Sequence, residues 1–245
     1  MDINSQTPVK DIALADSNSR RVLEDAGVDY CCGGAKPLGE ACFDAGVKPE
    51  EILKRLADQR NEAGPADAAW TTAPLAALTE HIREKHHRYV RGAIGRLRQL
   101  AGKVRMQHGE NHTELADVED LFHAVAREMS AHIQKEELVL FPYIEAVEKA
   151  ANGGVQPEPP FFGTVKNPIH MMMREHDAAG DLVRQIRRAS GEYRVPEDAC
   201  LSYKTLYEEL RAFEADLHQH VHLENNILFP RAVELEAAVL REGQR

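Results

Sequence analysis

The sequence lacks the features of a membrane protein and of a nucleic-acid-binding protein. No apolar run approaches the ~20 residues that a membrane-spanning helix needs, and the N-terminus has neither the charged nor the apolar region of a signal peptide. Lysine and arginine number 30 against 40 aspartates and glutamates, so the net charge is -10 and offers no basic surface to nucleic acid or anionic lipid. We therefore expect a cytoplasmic protein that binds neither membranes nor nucleic acid.

Cysteine is also scarce. The chain has 4 cysteines in 245 residues: Cys31 and Cys32 are adjacent, and Cys42 and Cys200 stand apart. This spacing does not indicate a disulfide framework. Neighbouring α-carbons lie ~3.8 Å apart, whereas those of ordinary disulfides are separated by ~4.4 Å or more. We therefore expect that the adjacent pair does not readily close on itself.

What the chain does contain is one segment twice. Residues 132–142 (HIQKEELVLFP) and 220–230 (HVHLENNILFP) share His, Glu, Leu, Phe and Pro at equivalent positions. In each copy the His and the Glu are four residues apart, which places them on one face of a helix. The two pairs are His132 with Glu136 and His220 with Glu224.

The face that carries each pair is apolar. In the first copy, Met129 and Val139 flank His132 and Glu136 at steps of three and four residues, and the second copy follows the same pattern. The sequence thus predicts a His and a Glu at core positions, twice. Buried carboxylates are costly unless they are paired or bind a metal, so this core needs compensating positive charge.

Two more histidines extend the repeat upstream. His87 precedes His132 by 45 residues, His176 precedes His220 by 44, and both lie on apolar helix faces. The remaining histidines do not share this symmetry. His218 and His222 lie about 200° around the helix from His220 at ~100° per residue. We interpret the others as surface groups or as outer partners of the ligands: His81, His86, His108, His112, His123 and His170.

The matched residues form a metal-ligand set of four imidazoles and two carboxylates without a thiolate. Such a set disfavours a structural zinc site and suits a dinuclear iron or manganese centre. If two carboxylates bridge and each metal takes two imidazoles, octahedral positions remain open for an oxo or hydroxo bridge and a small molecule. Ferritin-like di-metal proteins instead use Glu-x-x-His motifs, so the His-x-x-x-Glu pattern indicates a different class.

The apolar periodicity predicts an all-α protein, an up-down-up-down four-helix bundle preceded by a small helical domain. Phe141-Pro142 and Phe229-Pro230 are expected to mark kinks or breaks rather than helix ends, because the periodicity resumes beyond each. The four predicted bundle helices are residues 75–105, 112–150, 167–190 and 196–240. The predicted domains are a small helical domain at 1–62, a linker at 63–74 that Trp70 tethers, and the bundle at 75–245.

The small N-terminal domain is expected to consist of short helices at residues 18–26, 37–45 and 50–59, with Asp16 or Ser17 as a cap of the first. Between two of them lies the sequence DYCCGG, residues 29–34, which we call the Cys-Cys loop. Its two glycines release the backbone just after two thiols and present the sulfurs on a loop. The motif alone leaves two interpretations open, a reactive thiol pair and small apolar core residues.

These motifs together resemble a known family. Residues 75–240 resemble a hemerythrin-like domain, and with the Cys-Cys loop in front the chain is similar to the repair-of-iron-centres proteins, bacterial di-iron proteins of iron-sulfur cluster repair. The other matching motifs are EHDAAG at 175–180 and LENNILFP at 223–230. The resemblance implies two oxo- or hydroxo-bridged irons, with the metal ligands His87, His132, His176 and His220 and the bridging ligands Glu136 and Glu224.

The resemblance also implies a stress-response function, the repair of iron-sulfur proteins damaged by nitric oxide or peroxide, with Cys31 and Cys32 as candidates for thiol exchange or iron transfer. Oxygen-carrying hemerythrins place a second His one turn after the third-helix ligand, where this chain has Gly180. Fewer imidazoles suit releasable iron or bound nitric oxide better than oxygen carriage. An oxygen or nitric oxide sensor and a reductase of nitric oxide or peroxide are the alternatives, so whether the protein is an enzyme stays open. The paired thiols favour repair over sensing.

Overall fold

The computed structural model describes residues 3–15, 17–59, 67–155 and 157–242, and within these ranges every regular element is a helix. The all-α prediction is therefore confirmed. None of the helices in the described ranges is long and apolar enough to cross a membrane.

The described helices fall into two sets. The helices of the short set, before the linker, are separate, whereas those of the long set, after it, include members that are joined end to end into longer helices. The short set is α1 (Val9–Ala15), α2 (Ser17–Asp25), α3 (Leu38–Asp44) and α4 (Pro49–Gln59). The long set is α5 (Leu75–His81), α6 (Arg88–His108), α7 (Glu114–Lys135), α8 (Phe141–Ala151), α9 (Lys166–Ala189), α10 (Leu201–Leu223) and α11 (Phe229–Glu242). Three π-helical turns, at Ile82–His87, Glu136–Leu140 and Glu224–Leu228, join members of the long set end to end.

The joined helices form the four-helix bundle that the periodicity predicts. Its members span residues 75–108, 114–151, 166–189 and 201–242, and α7 packs on α6 and α9 while α10 packs on α6. The predicted apolar stripe is buried, from Val118 through Phe122 to Met129, and Phe122 meets Phe213 edge to face at 5.5 Å between ring centroids. A stripe repeating every three to four residues buries one continuous helix face, which positions the polar residues that interrupt it.

The two Phe-Pro steps do not end their helices. Each follows a π turn, and the helix resumes at Phe141 in one case and at Phe229 in the other. A proline inside a regular helix lacks a hydrogen-bond donor and collides with a carbonyl four residues back. The wider π turn, with its five-residue spacing, accommodates Pro142 and Pro230 without a break.

The start of the last bundle helix and the number of short helices differ from the prediction, while the other bundle bounds shift by three residues or fewer. The last bundle helix begins at Leu201 rather than at 196, because His112 from the neighbouring joint at the same end of the bundle holds Asp198 at 3.0 Å in a turn, and Cys200 before the helix is extended. In addition, α1 is a separate helix whose Val9, Ile12 and Ala13 are buried. Asp16, one of the two proposed caps, and residues 60–66 of the linker region lie outside the described residues.

The small domain lies against the bundle and shares its apolar core. Buried residues of α1 to α4 belong to the same apolar core as buried residues of α6, α7, α9 and α10. The described part of the linker forms a 3-10 turn at Asp67–Thr71. The Trp70 ring lies 4.5 Å from that of His81, and Arg231 donates to the carbonyls of Trp70 and Ala73 at 2.7 and 2.6 Å. Trp70 therefore holds the linker to the bundle.

Candidate metal centre

Six polar side chains from all four bundle helices converge at one level of the core. We call them the His-Glu cluster; each is at most 1% exposed, and they are His87, His132, Glu136, His176, His220 and Glu224. The structure thus brings together all the side chains that the sequence repeat singled out, including the two upstream histidines on different helices.

The His-Glu cluster divides into two groups that share both carboxylates. One ligand atom from each of His87, His220, Glu136 and Glu224 lies within 4.8 Å of the others, and the same holds when His132 and His176 replace the first pair of histidines. The Nε2 atoms of the histidines are 3.2 Å apart in the first pair and 3.0 Å apart in the second. Two imidazoles per position with two shared carboxylates is the arrangement expected for two adjacent metal ions.

The π turns aim the carboxylates into the cluster. Each of two turns starts at a cluster carboxylate, Glu136 or Glu224, and the third ends at His87. A π turn accommodates one more residue than an α turn, so consecutive side chains are separated by a smaller angle around the helix axis. Glu136 points into the cluster while the next residue, Glu137, accepts a hydrogen bond from His87 Nδ1 at 2.8 Å.

The buried carboxylates are held by imidazoles but are not saturated. Glu224 Oε1 accepts from His220 at 3.0 Å, whereas Glu136 Oε1, Glu136 Oε2 and Glu224 Oε2 accept no hydrogen bond in the described part of the chain. Two of these oxygens lie 3.1 to 3.3 Å from imidazole nitrogens without hydrogen-bond alignment. Buried oxygens without partners are expensive, and a cation between the imidazoles and carboxylates would satisfy them. The residues therefore fit a metal site.

The electrostatics of the His-Glu cluster follow from burial opposed by close opposite charge. Burial and the neighbouring Glu224 raise the pKa of Glu136, but His132 and His87 outweigh them and leave that pKa below its ordinary value. Burial likewise opposes ionisation of Glu224, yet His220 and His176 bring its pKa well below normal. Burial lowers the pKa of His132, but Glu136 and Glu175 raise it to about 10. Without a metal, the carboxylates are thus compensated by protonated imidazoles.

Outer partners that the sequence analysis did not assign fix the rings of the imidazoles. Glu137, Glu175 and Asn225 accept hydrogen bonds from His87, His132 and His176, respectively. The sequence feature that could have identified these partners is their position, since each lies directly beside a cluster residue in the chain. Glu175 and Asn225 lie inside the motifs EHDAAG and LENNILFP, so part of the information in those motifs concerns ligand orientation.

The remaining histidines stay outside the His-Glu cluster. His222 is buried against the small domain, with its ring 5.3 Å from that of Tyr30, and His218 faces the same tyrosine at 6.3 Å. Both histidines therefore face away from the His-Glu cluster, in agreement with the angle of about 200° that the helix period predicts between them and His220. His86 is fully buried and stacks on His220 at 5.5 Å between ring centroids.

The Cys-Cys loop docks on the π turn at Glu224–Leu228. Asn226 Nδ2 donates to the Tyr30 carbonyl at 3.2 Å, and Asn225 Nδ2 lies 3.5 Å from the Cys31 carbonyl while its Oδ1 accepts from His176 Nδ1 at 2.9 Å. Asn225 therefore connects a cluster imidazole to the backbone of the loop. Asp29 also lies 3.8 Å from the guanidinium of Arg184 in α9, and a β-carbon at the buried Gly180 would meet the same guanidinium at 3.5 Å.

The two thiols of the loop are free and differ in environment. Asp29 Oδ1 accepts hydrogen bonds from the backbone of Cys31 and Cys32 and from the Cys31 thiol at 3.3 Å, and the sulfurs are 3.9 Å apart. Cys31 is 6% exposed, whereas Cys32 is only partly buried. The Cys32 thiol as a hydrogen-bond partner, burial and Asp29 together raise the pKa of Cys31 well above normal. Cys32 is thus the more accessible thiol.

Comparison with known proteins places these features in a family. Residues 78–232 match the hemerythrin HHE cation binding domain, and residues 5–60 match a domain of unknown function, DUF542. A probable iron-sulfur cluster repair protein of Haemophilus influenzae is 34% identical over 230 residues, which is 94% of this chain and 97% of that protein. The iron-sulfur cluster repair proteins YtfE of Citrobacter koseri and Salmonella newport are each 31% identical over 227 residues, 92% of this chain and 96% of theirs.

Proposed function

The chain belongs to the hemerythrin HHE family, and from that premise we propose that it is a di-iron protein that repairs iron-sulfur clusters damaged by nitric oxide or peroxide. The observation that carries the proposal is a buried cluster of four imidazoles and two shared carboxylates, connected through Asn225 to a loop with two free thiols. Relatives that match almost the whole chain are named iron-sulfur cluster repair proteins. Their name supports damaged iron-sulfur proteins as the partners.

The residues of the His-Glu cluster have separate tasks in this proposal. His87 and His220 would hold one iron, His132 and His176 would hold the other, and Glu136 and Glu224 would be shared by both. Bound iron supplies redox chemistry and open coordination positions for a bridging oxygen or a small molecule such as nitric oxide. The apolar helix faces around the cluster exclude water, and the outer acceptors of His87, His132 and His176 keep the Nδ1 protons of these rings in place, so that their Nε2 lone pairs face inward.

The Cys-Cys loop supplies the transfer function. Cys32 is the more accessible thiol and Cys31, held by Asp29, is the second. Two adjacent thiols suit transient capture of iron as cargo, with loss of their protons on binding, or thiol exchange with a client. The connection through Asn225 places this loop beside the cluster rather than at a remote end of the bundle.

The test is reactivation of an iron-sulfur dehydratase that nitric oxide has inactivated. Activity recovered per chain added is measured for the iron-loaded protein, for the protein without iron, and for Cys31→Ser combined with Cys32→Ser. Cys200→Ser, a partly buried thiol outside the loop, is the matched control. We expect the double variant to keep its iron but to lose reactivation, and the control to retain both.

Two outcomes would contradict the proposal. Equal reactivation by the iron-free protein would show that iron is not the cargo. Catalytic nitric oxide consumption with an electron donor, at a rate that accounts for the protection of the client, would favour the reductase alternative. The loop variants are made in the full chain, because the small domain shares the apolar core of the bundle and its removal would expose that surface.

A further inference from the structure

The side chains that surround the His-Glu cluster are not symmetric, although the cluster itself is. The repeat relates His87 to His176 and His132 to His220. It therefore also relates the residue after each cluster Glu, and the residue before each of the upstream histidines. These outer pairs are Glu137 with Asn225 and His86 with Glu175.

One outer pair performs the same task in both halves. Glu137 and Asn225 each accept a hydrogen bond from Nδ1 of the upstream histidine of their own half, His87 and His176, at 2.8 and 2.9 Å. Each acceptor is itself supported: Arg91 donates to Glu137 at 2.6 Å, and Asn225 lies against the Cys31 carbonyl. The upstream histidines are thus fixed equivalently.

The other outer pair differs between the halves. Glu175 accepts from His132 Nδ1 at 3.0 Å and is paired with Lys135. His86 occupies the equivalent place beside His220, but the two rings lie parallel, 7° apart, with centroids at 5.5 Å. No hydrogen bond joins them, and within the described residues neither His220 Nδ1 nor His86 Nε2 has a partner. His86 is held in the stacked position by Asp216, 2.9 Å from its Nδ1.

An outer acceptor affects a metal ligand in two ways. It fixes the orientation of the ring, and it makes the inward nitrogen more basic. Removing such an acceptor typically lowers metal affinity by about 10- to 100-fold. Three of the four cluster imidazoles have this support and His220 does not. Because the carboxylates are shared by both metal positions, they cannot compensate for the difference.

We propose that the two metal positions are unequal, and that the position formed by His87 and His220 releases its ion first. This inference rests on the proposed di-iron function and adds which iron is the cargo. The ion held by His132 and His176, both of which have acceptors, is the retained one. A protein that donates iron and keeps its fold benefits from this division, since one ion continues to neutralise Glu136 and Glu224 after the other leaves.

The test is release of ferrous iron to an excess of a coloured chelator at fixed pH. We expect two phases of equal amplitude, one ion per chain in each, with rate constants that differ by about tenfold or more. The expected assignment is that His87→Ala removes the fast phase and His176→Ala removes the slow one. A single phase in the unaltered chain, or the reverse assignment, would overturn the inference.

A substitution at His86 tests the cause directly. His86→Gln places a neutral acceptor beside His220, as Asn225 does beside His176, and should slow the fast phase by about tenfold. His86→Leu fills a similar volume without an acceptor and should leave that phase unchanged or faster. If the two variants slow release equally, packing rather than the missing acceptor determines the rate. Release to a chelator involves no client, so unequal release can fail while repair itself succeeds, and a chain without bound iron would instead refute the di-iron proposal.

Discussion

The His-Glu cluster and the Cys-Cys loop both carry reactive groups, but they are built in different ways. The cluster consists of side chains on four long helices, and each is at most 1% exposed. The loop is six residues long and is held by one carboxylate, Asp29, and by amides of the π turn on which it docks. In a rigid helix the regular period fixes the direction of each side chain, whereas the conformation of a loop depends on the groups that it contacts.

This comparison predicts that changes in the cluster remove metal and that changes in the loop do not. The largest effect is expected for His132→Ala and Glu224→Ala, each of which should lose at least one of two ions per chain because a buried ligand is missing. His218→Ala and His222→Ala, on the face towards the small domain, should retain both. Metal content per chain, measured by atomic emission, is the readout. Equal loss in all four variants would contradict the assignment of helix faces.

Metal removal is expected to destabilise the bundle, and more so as pH rises. The raised pKa of His132, about 10 in the fold against 6.5 for the free group, contributes stability that is present below pH 6.5 and is lost as pH rises towards 10. The lowered pKa of Glu224 contributes stability above pH 4.5 that is lost on acidification below that value. The metal-free protein should therefore be most stable between pH 4.5 and 6.5.

The metal-loaded protein should behave in the opposite sense, because imidazoles must lose protons to bind metal. At free metal of about 1,000 times the dissociation constant, binding adds about 4 kcal/mol to the free energy of unfolding. The difference in melting temperature between the loaded and metal-free forms should grow from pH 6.5 to pH 9. If the two forms melt at the same temperature across this range, the six side chains do not hold a metal in the core.

A smaller effect is expected for a substitution that disturbs only the docking of the loop. In Gly34→Ala the new β-carbon would lie 2.8 Å from both Asn226 Oδ1 and the Tyr30 carbonyl, so the loop must shift. We expect a loss of about 1–3 kcal/mol in the free energy of unfolding, with metal content unchanged. Gly95→Ala in α6 meets nothing within 4 Å and should gain up to about 1 kcal/mol. Urea denaturation of both variants gives the comparison, and metal loss in Gly34→Ala would show that the loop and cluster are one unit.

The smallest effect is expected within the loop, between its two thiols. In a Cys200→Ser background, alkylation of native protein should be fast at Cys32 and about tenfold slower at Cys31, which corresponds to about 1.4 kcal/mol of local opening. The reason is the burial of Cys31 and its raised pKa, which keeps the thiol protonated at neutral pH. Cys32→Ser should remove the fast reaction and Cys31→Ser should not. Comparable rates at both positions would show that the structure does not distinguish them.

Much of the bundle was predictable because its apolar residues recur with the period of a helix. The stripe through Val118 and Phe122 to His132 indicated a buried helix face, and the repeat of that stripe indicated a second one. The start of the last helix was not predictable, because the contact between His112 and Asp198 joins residues that are 86 positions apart. Helix α1 was missed for a local reason, since its three buried residues are too few to show a period.

The amino-acid sequence by itself determined which residues belong to the His-Glu cluster, because a His and a Glu four apart on an apolar stripe share a helix face in any fold that buries it. Only the tertiary structure decided how the imidazoles are paired, since His87 with His220 and His132 with His176 come from different helices. It also decided that Glu175 supports His132 while His86 leaves His220 without an acceptor. Helical periodicity describes the direction of a side chain from its own helix, and partners across helices depend on how the helices pack.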